Sequence, residues 1–486
     1  MSSRERMSPV DTAWLRMDRP NNLMQILGVM LFDGRLDVMR LKRAIEGRML
    51  GHRRFVQCVV EDAAGYWWQD DPQFSIDNHL HHARLPGAAG KVELQEFVSG
   101  LASEPLDRER PLWEFHLVDN ALGGHALVMR IHHCIADGIA LVGVIMSMTD
   151  GAPSGAGRRP RTAKRRSEAA DDGDSFWEML WRPMAEVLQN PVRASTNLIG
   201  KSVDMLSHPT QIAHFVRLGG DIALEIAKLA FMANDSATRF KGTPGLNKRF
   251  AWSERIALPE IKAIGKVLGC SVNDLLLSAV AGALRAYLVG KGDEVDGVEV
   301  RAMVPVNLRQ PEDEGKLGNR FGLVALVLPV GIENPLARLY ETRARMESLK
   351  NSYQAALTLT VLGAVGITPK LIQQQVLDLL ASKATAVMTN VPGPTNALYL
   401  AGAKLSQPLF WVPQSGDIGI GVSILSYDGG VQIGLMTDDN LVADPELIVR
   451  GFAREFERLL MLVLMEPWDR LGDPEAVEAG LEGEAA

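Results

Sequence analysis

Residues 125–146 read HALVMRIHHCIADGIALVGVIM: a strand pattern breaks into a buried-helix pattern across a pair of histidines. The spacing predicts a strand over 126–133. Side chains alternate along a strand, so His132 and His133 point in opposite directions while it persists. Histidines on opposite faces do not chelate one metal together. The spacing also differs from HExxH, where both histidines share a helical face. No metal is expected here. One histidine should face a cavity and the other the interior. An imidazole with an unperturbed pKa of about 6.5 is a competent general base near pH 7. Asp137 precedes the apolar run Ile139–Met146, which reads as a buried helix, so Asp137 is an N-cap or a buried ion-pair partner. Gly138 permits a tight turn and close backbone approach. Taken alone, the stretch fits two unreactive core histidines equally well.

The chain around it has 486 residues, enough for two or three units at roughly 150 residues each. With 47% hydrophobic and 23% charged residues, it is neither disordered nor fibrous. A net charge of −8 argues against a nucleic-acid partner. Cys58, Cys134 and Cys270 form no CxxC pair, which points to a reducing, cytoplasmic setting without zinc or disulfides. The opening MSSRERMSPV lacks the apolar core of a secretory signal. Residues 351–369 are uncharged, but their Asn, Ser, Gln and Thr content rejects a membrane span. An amphipathic contact with lipid stays open there.

Composition divides the chain into five parts. Residues 1–150 mix strand-like stretches (Gln25–Phe32 and 126–133) with helical spacing over 36–48. Residues 151–175 hold six basic and then four acidic residues among small ones, a flexible linker. Its basic run is either merely solvated or attracts an anionic membrane or CoA phosphates. Residues 176–245 read as a helical crossover, with Trp177, Leu180, Trp181 and Met184 on one apolar edge and a kink at Pro183. Residues 246–471 alternate helices with strand-like runs at 299–305, 323–330, 417–424 and 431–436. The last two flank Tyr427-Asp428-Gly429-Gly430, a hairpin signal. Residues 472–486 form an acidic tail expected to be disordered. Two mixed α/β blocks joined by a crossover suggest two lobes with a ligand site between them.

HHxxxDG resembles the signature of the CoA-dependent acyltransferase superfamily, which includes chloramphenicol acetyltransferases and peptide-synthetase condensation domains. Other stretches resemble one branch of it, the bacterial wax ester synthase/diacylglycerol acyltransferases. These are Asp11-Thr12-Ala13-Trp14, Pro111-Leu112-Trp113-Glu114, Ser271-Val272-Asn273-Asp274, Pro305-Val306-Asn307-Leu308-Arg309, Gly318-Asn319-Arg320 and Asn390-Val391-Pro392-Gly393-Pro394. Their order resembles that family over nearly the whole chain.

The resemblance implies an α/β fold of two chloramphenicol-acetyltransferase-like lobes with mixed sheets and an active site between them. It implies transfer of a long-chain acyl group from acyl-CoA to the hydroxyl of a fatty alcohol or a diacylglycerol, with no cofactor. His133 is then the general base, His132 an inward-facing support, and Asp137 a structural residue holding an arginine, with Arg54 the expected partner. Peripheral attachment to a membrane or lipid droplet follows from the substrates. The alternatives are a condensation-type enzyme taking acyl groups from a carrier protein and a lipid-binding protein with a dead site.

The remaining motifs admit two readings each. Ser271-x-x-Asp274 has the form of a capping box before an apolar helix over 275–288, and capping is preferred for Asp274 over contact with substrate. Asn273 either faces the cavity, holding acceptor or histidine, or does not. Pro111-Leu112-Trp113 reads as a packing corner. Asn390, Pro392 and Gly393 lie in a stiff loop that suits either an inter-lobe bridge near substrate or a simple turn. Residues 416–422 read as a glycine-bearing strand beside which an acyl chain passes, or as a bulge. Apolar room for lipid is offered by residues 355–367 and 141–148, the latter reading better as core. Trp177 and Trp181 suit either a membrane interface or core burial.

Overall fold

The computed structural model describes residues 4–154, 235–308, 317–350, 382–468, 471–475 and 477. The crossover with Trp177 and Trp181, most of the linker, residues 351–369 and most of the acidic tail lie outside these residues. The elements begin β1 (Arg4–Arg6), α1 (Pro9–Met17), β2 (Gln25–Asp33), α2 (Val38–Ala44), β3 (Gln57–Asp62) and β4 (Gly65–Asp70). There follow β5 (Leu80–Ala83), α3 (Lys91–Ala102), β6 (Trp113–Val118), β7 (His125–His132) and α4 (Gly138–Ser147). Beyond the crossover come β8 (Lys248–Trp252), β9 (Ile256–Ala257), α5 (Leu258–Leu268), α6 (Val272–Gly290), β10 (Val300–Asn307), β11 (Phe321–Leu328) and α7 (Pro335–Lys350). The chain closes with β12 (Ala386–Pro392), β13 (Tyr399–Leu400), β14 (Ala403–Trp411), β15 (Ile420–Tyr427), β16 (Gly430–Asp438) and α8 (Pro445–Met465).

The strands build a mixed α/β fold with two large sheets. One has the order β13-β14-β2-β7-β6-β5, the other β11-β10-β12-β15-β16-β8, with β9 alongside β16. A small sheet, β1-β4-β3, sits apart. Chain order does not predict this division. Residues 399–411 fall in the expected second block, yet β14 pairs antiparallel with β2 from Trp411↔Leu27 to Lys404↔Asp33. Asn390, Val391 and Pro392, expected in a loop, instead end β12 paired with β15, and the chain leaves one sheet for the other at Gly393-Pro394. Gly393 is needed there because a Cβ would come within 2.3 Å of the Ser426 carbonyl.

Local chemistry sets the element ends. Ser8 caps α1 and is followed by Pro9 at the first helical position. The expected 36–48 helix is shorter, α2 running only to Ala44 before a π-helical turn, Ile45–Met49. Asp428 and Gly429 both have positive φ (46° and 73°) between the paired residues Tyr427 and Gly430, the backbone a two-residue hairpin turn requires. The strand expected from 417 begins only at Ile420. Gly416 is left-handed, and the space at Gly419 is taken by the Phe240 carbonyl, 2.2 Å from where a Cβ would stand, rather than by an acyl chain.

Helix α6 is long and apolar enough to cross a membrane, but 83% of its apolar window is buried inside the protein. It packs against α7, α8 and the second sheet in one apolar core. A second core joins α1, α2 and α4 to the first sheet. A third lies between the sheets, where Trp411 of β14 meets Phe250 edge-on, ring centroids 4.9 Å apart.

Candidate active site

Strand β7 ends at His132, one residue earlier than expected, and His133 opens the turn into α4. The two histidines still diverge. His132 is buried, its Nδ1 accepts from the Cys134 backbone N–H at 3.1 Å, and its Nε2 lies 3.8 Å from the Asp18 carboxylate. Its own N–H donates to the Leu112 carbonyl at 2.9 Å. The Pro111-Leu112-Trp113 corner is thereby both packing and support. Trp113 is fully buried, stacks on His79, and donates from Nε1 to the Phe55 carbonyl at 2.8 Å.

His133 lies against Trp14 of α1, ring centroids 3.9 Å apart and planes at 15°, with Phe321 of β11 tilted nearby at 5.7 Å. Its backbone is pinned from both sides. Its N–H donates to the Met24 carbonyl at 2.7 Å, and its carbonyl accepts from Asn319 Nδ2 at 2.9 Å. Burial drives the imidazole pKa down to about 4, although Asp137 and the residue's own carbonyl pull upward. The ring is therefore a free base at neutral pH. The same burial lowers its basicity, so it gains most where negative charge develops beside it.

Asp137 caps α4: its Oδ1 accepts from the Ala140 N–H at 3.0 Å. Its Oδ2 accepts from the Arg320 N–H at 3.0 Å, 183 residues away. The expected pairing with Arg54 is corrected. Arg54 instead bonds Glu5 at 2.6 Å and Gln57 at 2.7 Å and lies over Trp68. Its neighbours across the small sheet supply its carboxylate, and a distant backbone amide serves Asp137.

Asn319 joins this centre to α1. Its Nδ2 also donates to Asp11 Oδ1 at 2.8 Å. Asp11 is buried, and desolvation raises its pKa to about 6 against the hydrogen bonds from Asn319 and Ser8. Asp11, Trp14 and Asn319 had been assigned no role from the sequence. The signal was present in two motifs, Asp11-Thr12-Ala13-Trp14 and Gly318-Asn319-Arg320, that the resemblance had already singled out.

The other candidates gather elsewhere. Asn390 Nδ2 donates to Asn273 Oδ1 at 2.5 Å, and both line a cleft with Leu277, Val304, Met346 and Met388. Neither bonds His133. Asp274 closes the capping box of α6, its Oδ2 accepting from the Ser271 N–H at 2.9 Å. Pro392 ends β12, and the Gly393 N–H donates to the Ser426 carbonyl at 2.8 Å. Gly138 lines an apolar cavity with Met129, Ile131, Leu141, Ile145, Leu409 and Phe410. Helix α4 thus fronts open space as well as core.

The buried histidine loop is flanked in sequence by Ile131 and Gly138, which both line the apolar cavity. Residues 7–276 match the wax ester synthase/diacylglycerol acyltransferase catalytic domain, and residues 317–460 match the C-terminal domain of the same family. The chain belongs to this family, and is an acyl-CoA-dependent acyltransferase. It is 26% identical over 408 residues to a probable diacylglycerol O-acyltransferase of Mycobacterium tuberculosis, covering 81% of each chain. A second such relative from that organism is 26% identical over 448 residues, covering 88% of this chain and 93% of its own. Among solved structures, the wax ester synthase/diacylglycerol acyltransferase of Marinobacter aquaeolei superposes with a TM-score of 0.67 at 20% identity, covering 95% of this chain and 100% of that one. The starter condensation domain of rhizomide synthetase, solved with C8-CoA and Leu-SNAC, has a TM-score of 0.56 at 14% identity, covering 96% of both chains. Those two likenesses show the shared fold.

Proposed function

We propose that the enzyme moves a long-chain fatty acyl group from acyl-CoA to the hydroxyl of a diacylglycerol or a fatty alcohol, with His133 as general base. The observation that carries this reading is the setting of His133: buried, stacked on Trp14, fixed through its backbone N–H and carbonyl, with burial pushing its pKa down so that the free base is favoured at neutral pH. Nδ1 is sealed from solvent, which leaves Nε2 to meet substrate. Nε2 takes the proton of the acceptor hydroxyl as its oxygen bonds to the thioester carbonyl carbon. The tetrahedral oxyanion collapses, the C–S bond breaks, and the CoA thiolate takes the proton back from the imidazolium. No acyl-enzyme is formed. His132 and Asp137 hold the loop, and the Asn273–Asn390 pair orients the polar end of a substrate whose chain lies in the apolar cleft.

A site between the two sheets is supported by the 318–320 loop, which bonds Asp137 and His133 and leads into β11 of the other sheet. Attachment to a membrane or lipid-droplet surface is peripheral. Its support is the end of α8, where Met461, Leu464 and Met465, with Trp468 just beyond the helix, are 53–70% exposed. Exposed Arg450, Arg454 and Arg458 precede them at four-residue steps on the same helix, suited to anionic lipid headgroups.

The deciding experiment measures free CoA released from palmitoyl-CoA by wild type and His133→Ala, with dipalmitoylglycerol and with hexadecanol in parallel. General-base loss lowers turnover by about 10²–10⁴-fold. Release that needs both an acceptor and His133 supports the reading, and the ratio between acceptors assigns the product. Unchanged release by folded His133→Ala removes His133 as the base.

A further inference from the structure

A second cluster of chemistry-bearing side chains lies outside the histidine loop, on strands β5 and β6. These strands run parallel with His81 directly opposite His116. Directly opposed residues share a face of the sheet, and so do residues two apart on one strand. His81, Glu114 and His116 are therefore aligned by register alone. The two imidazoles stand 4.9 Å apart between centroids, and His116 Nε2 lies 3.4 Å from Glu114 Oε2. One ligand atom from each of the three residues comes within 4.8 Å of the others.

The surroundings hold this group in place. Arg130 of β7, directly opposite Glu114, bonds the same carboxylate oxygen. The other end of its guanidinium donates to the Leu101 and Glu104 carbonyls at 2.6 and 2.9 Å. Phe97 of α3 meets the His116 ring edge-on at 6.1 Å. The His116 side chain is only 12% exposed, and its Nε2 faces the Glu114 carboxylate rather than solvent.

We propose that His81, Glu114 and His116 form a binding site for a divalent transition-metal ion of the zinc type. Two imidazoles and one carboxylate are an established zinc ligand set, and the fourth position is left to water. Arg130 bonds Glu114 Oε2 and so fixes the carboxylate beside the two imidazoles. Its positive charge also opposes the cation, so the site binds more weakly than a closed structural zinc site. Bound metal ties the edge strand β5 to β6 and stabilises the folded chain by mass action.

The test uses the full chain, freed of metal by a chelator and titrated with zinc chloride by calorimetry, with thermal unfolding in parallel. One zinc per chain is expected, with a rise in Tm, and X-ray absorption showing nitrogen and oxygen neighbours without sulfur. His81→Gln and His116→Gln each weaken binding by more than about 100-fold, beyond the 10–100-fold typical of outer-shell changes. His82→Gln, on an exposed neighbour facing the other way, leaves it unchanged, as does His133→Ala. Circular dichroism checks that each variant is folded. The proposal fails if wild type shows no saturable zinc binding. It fails equally if binding survives His81→Gln and His116→Gln, or is lost with His133→Ala instead.

Discussion

The indole of Trp14 lies flat on the imidazole of His133, 3.9 Å between centroids, and covers one whole face of the ring. That cover is part of the burial that holds the imidazole near a pKa of 4. In Trp14→Leu, water reaches the ring and its pKa climbs toward 6.5. The acid limb of the kcat/KM profile is expected near pH 4 in wild type and at least one pH unit higher in the variant. A limb that does not move would show that the indole merely packs.

Asn319 uses one amide nitrogen for two acceptors, Asp11 Oδ1 and the His133 carbonyl. Asn319→Leu leaves both buried without that donor, at about 1–3 kcal/mol for each unsatisfied group. A displaced histidine loop lowers kcat by about tenfold or more, with a smaller change in KM. Urea unfolding and steady-state kinetics on the same preparation separate the two effects.

The Asp11 carboxyl is raised by burial to about 6, above its unfolded value. Folding therefore takes up protons between about pH 4 and 6, so this group's contribution is full below pH 4 and is lost as pH rises through 6. Asp11→Asn keeps an acceptor for Asn319 and removes that loss. Relative to wild type it is expected to gain stability between pH 4.5 and pH 8, by roughly 3 kcal/mol at most. His133 has the opposite slope, losing stability as pH falls from 6.5 to 4, but it is common to both proteins and cancels. Urea midpoints measured across that range provide the check.

The exposed end of α8 gives a surface prediction. Replacing Met461, Leu464, Met465 and Trp468 together by Ser weakens flotation with anionic phospholipid vesicles by about tenfold or more, since each large apolar side chain contributes on the order of 1 kcal/mol at an interface. Hydrolysis-free turnover on detergent-dispersed substrate stays unchanged. Equal vesicle binding by the variant would move the lipid contact to another surface.

Much of this architecture is encoded locally and was legible. Short, strand-like apolar runs marked β2 and β7, the 428–429 turn residues marked the β15–β16 hairpin, and Ser271 and Asp137 marked the starts of α6 and α4. What sequence neighbours do not encode is partnership at a distance. Asp137 finds the Arg320 amide 183 residues on, whereas Arg54, guessed as its partner, finds Glu5 across a small sheet. The placement of β14 beside β2 is of the same kind, since an apolar strand fits either large sheet by pattern alone. Asn273 and Asn390 were each named, yet only the fold makes them a bonded pair.

That insertion of β14 bears on how the chain is born. Until the ribosome has passed residue 411, β2 has an open edge along its whole length, and that strand is apolar and buried at nearly every position. At 5–20 residues per second, the stretch from residue 33 to residue 403 takes roughly 20–75 s to make. Throughout that interval the nascent N-terminal half carries a sticky, unpaired strand, the kind of edge that recruits other chains. Expressed alone, residues 1–150 should aggregate, and co-expression of the two halves should rescue them only if the C-terminal piece retains β14.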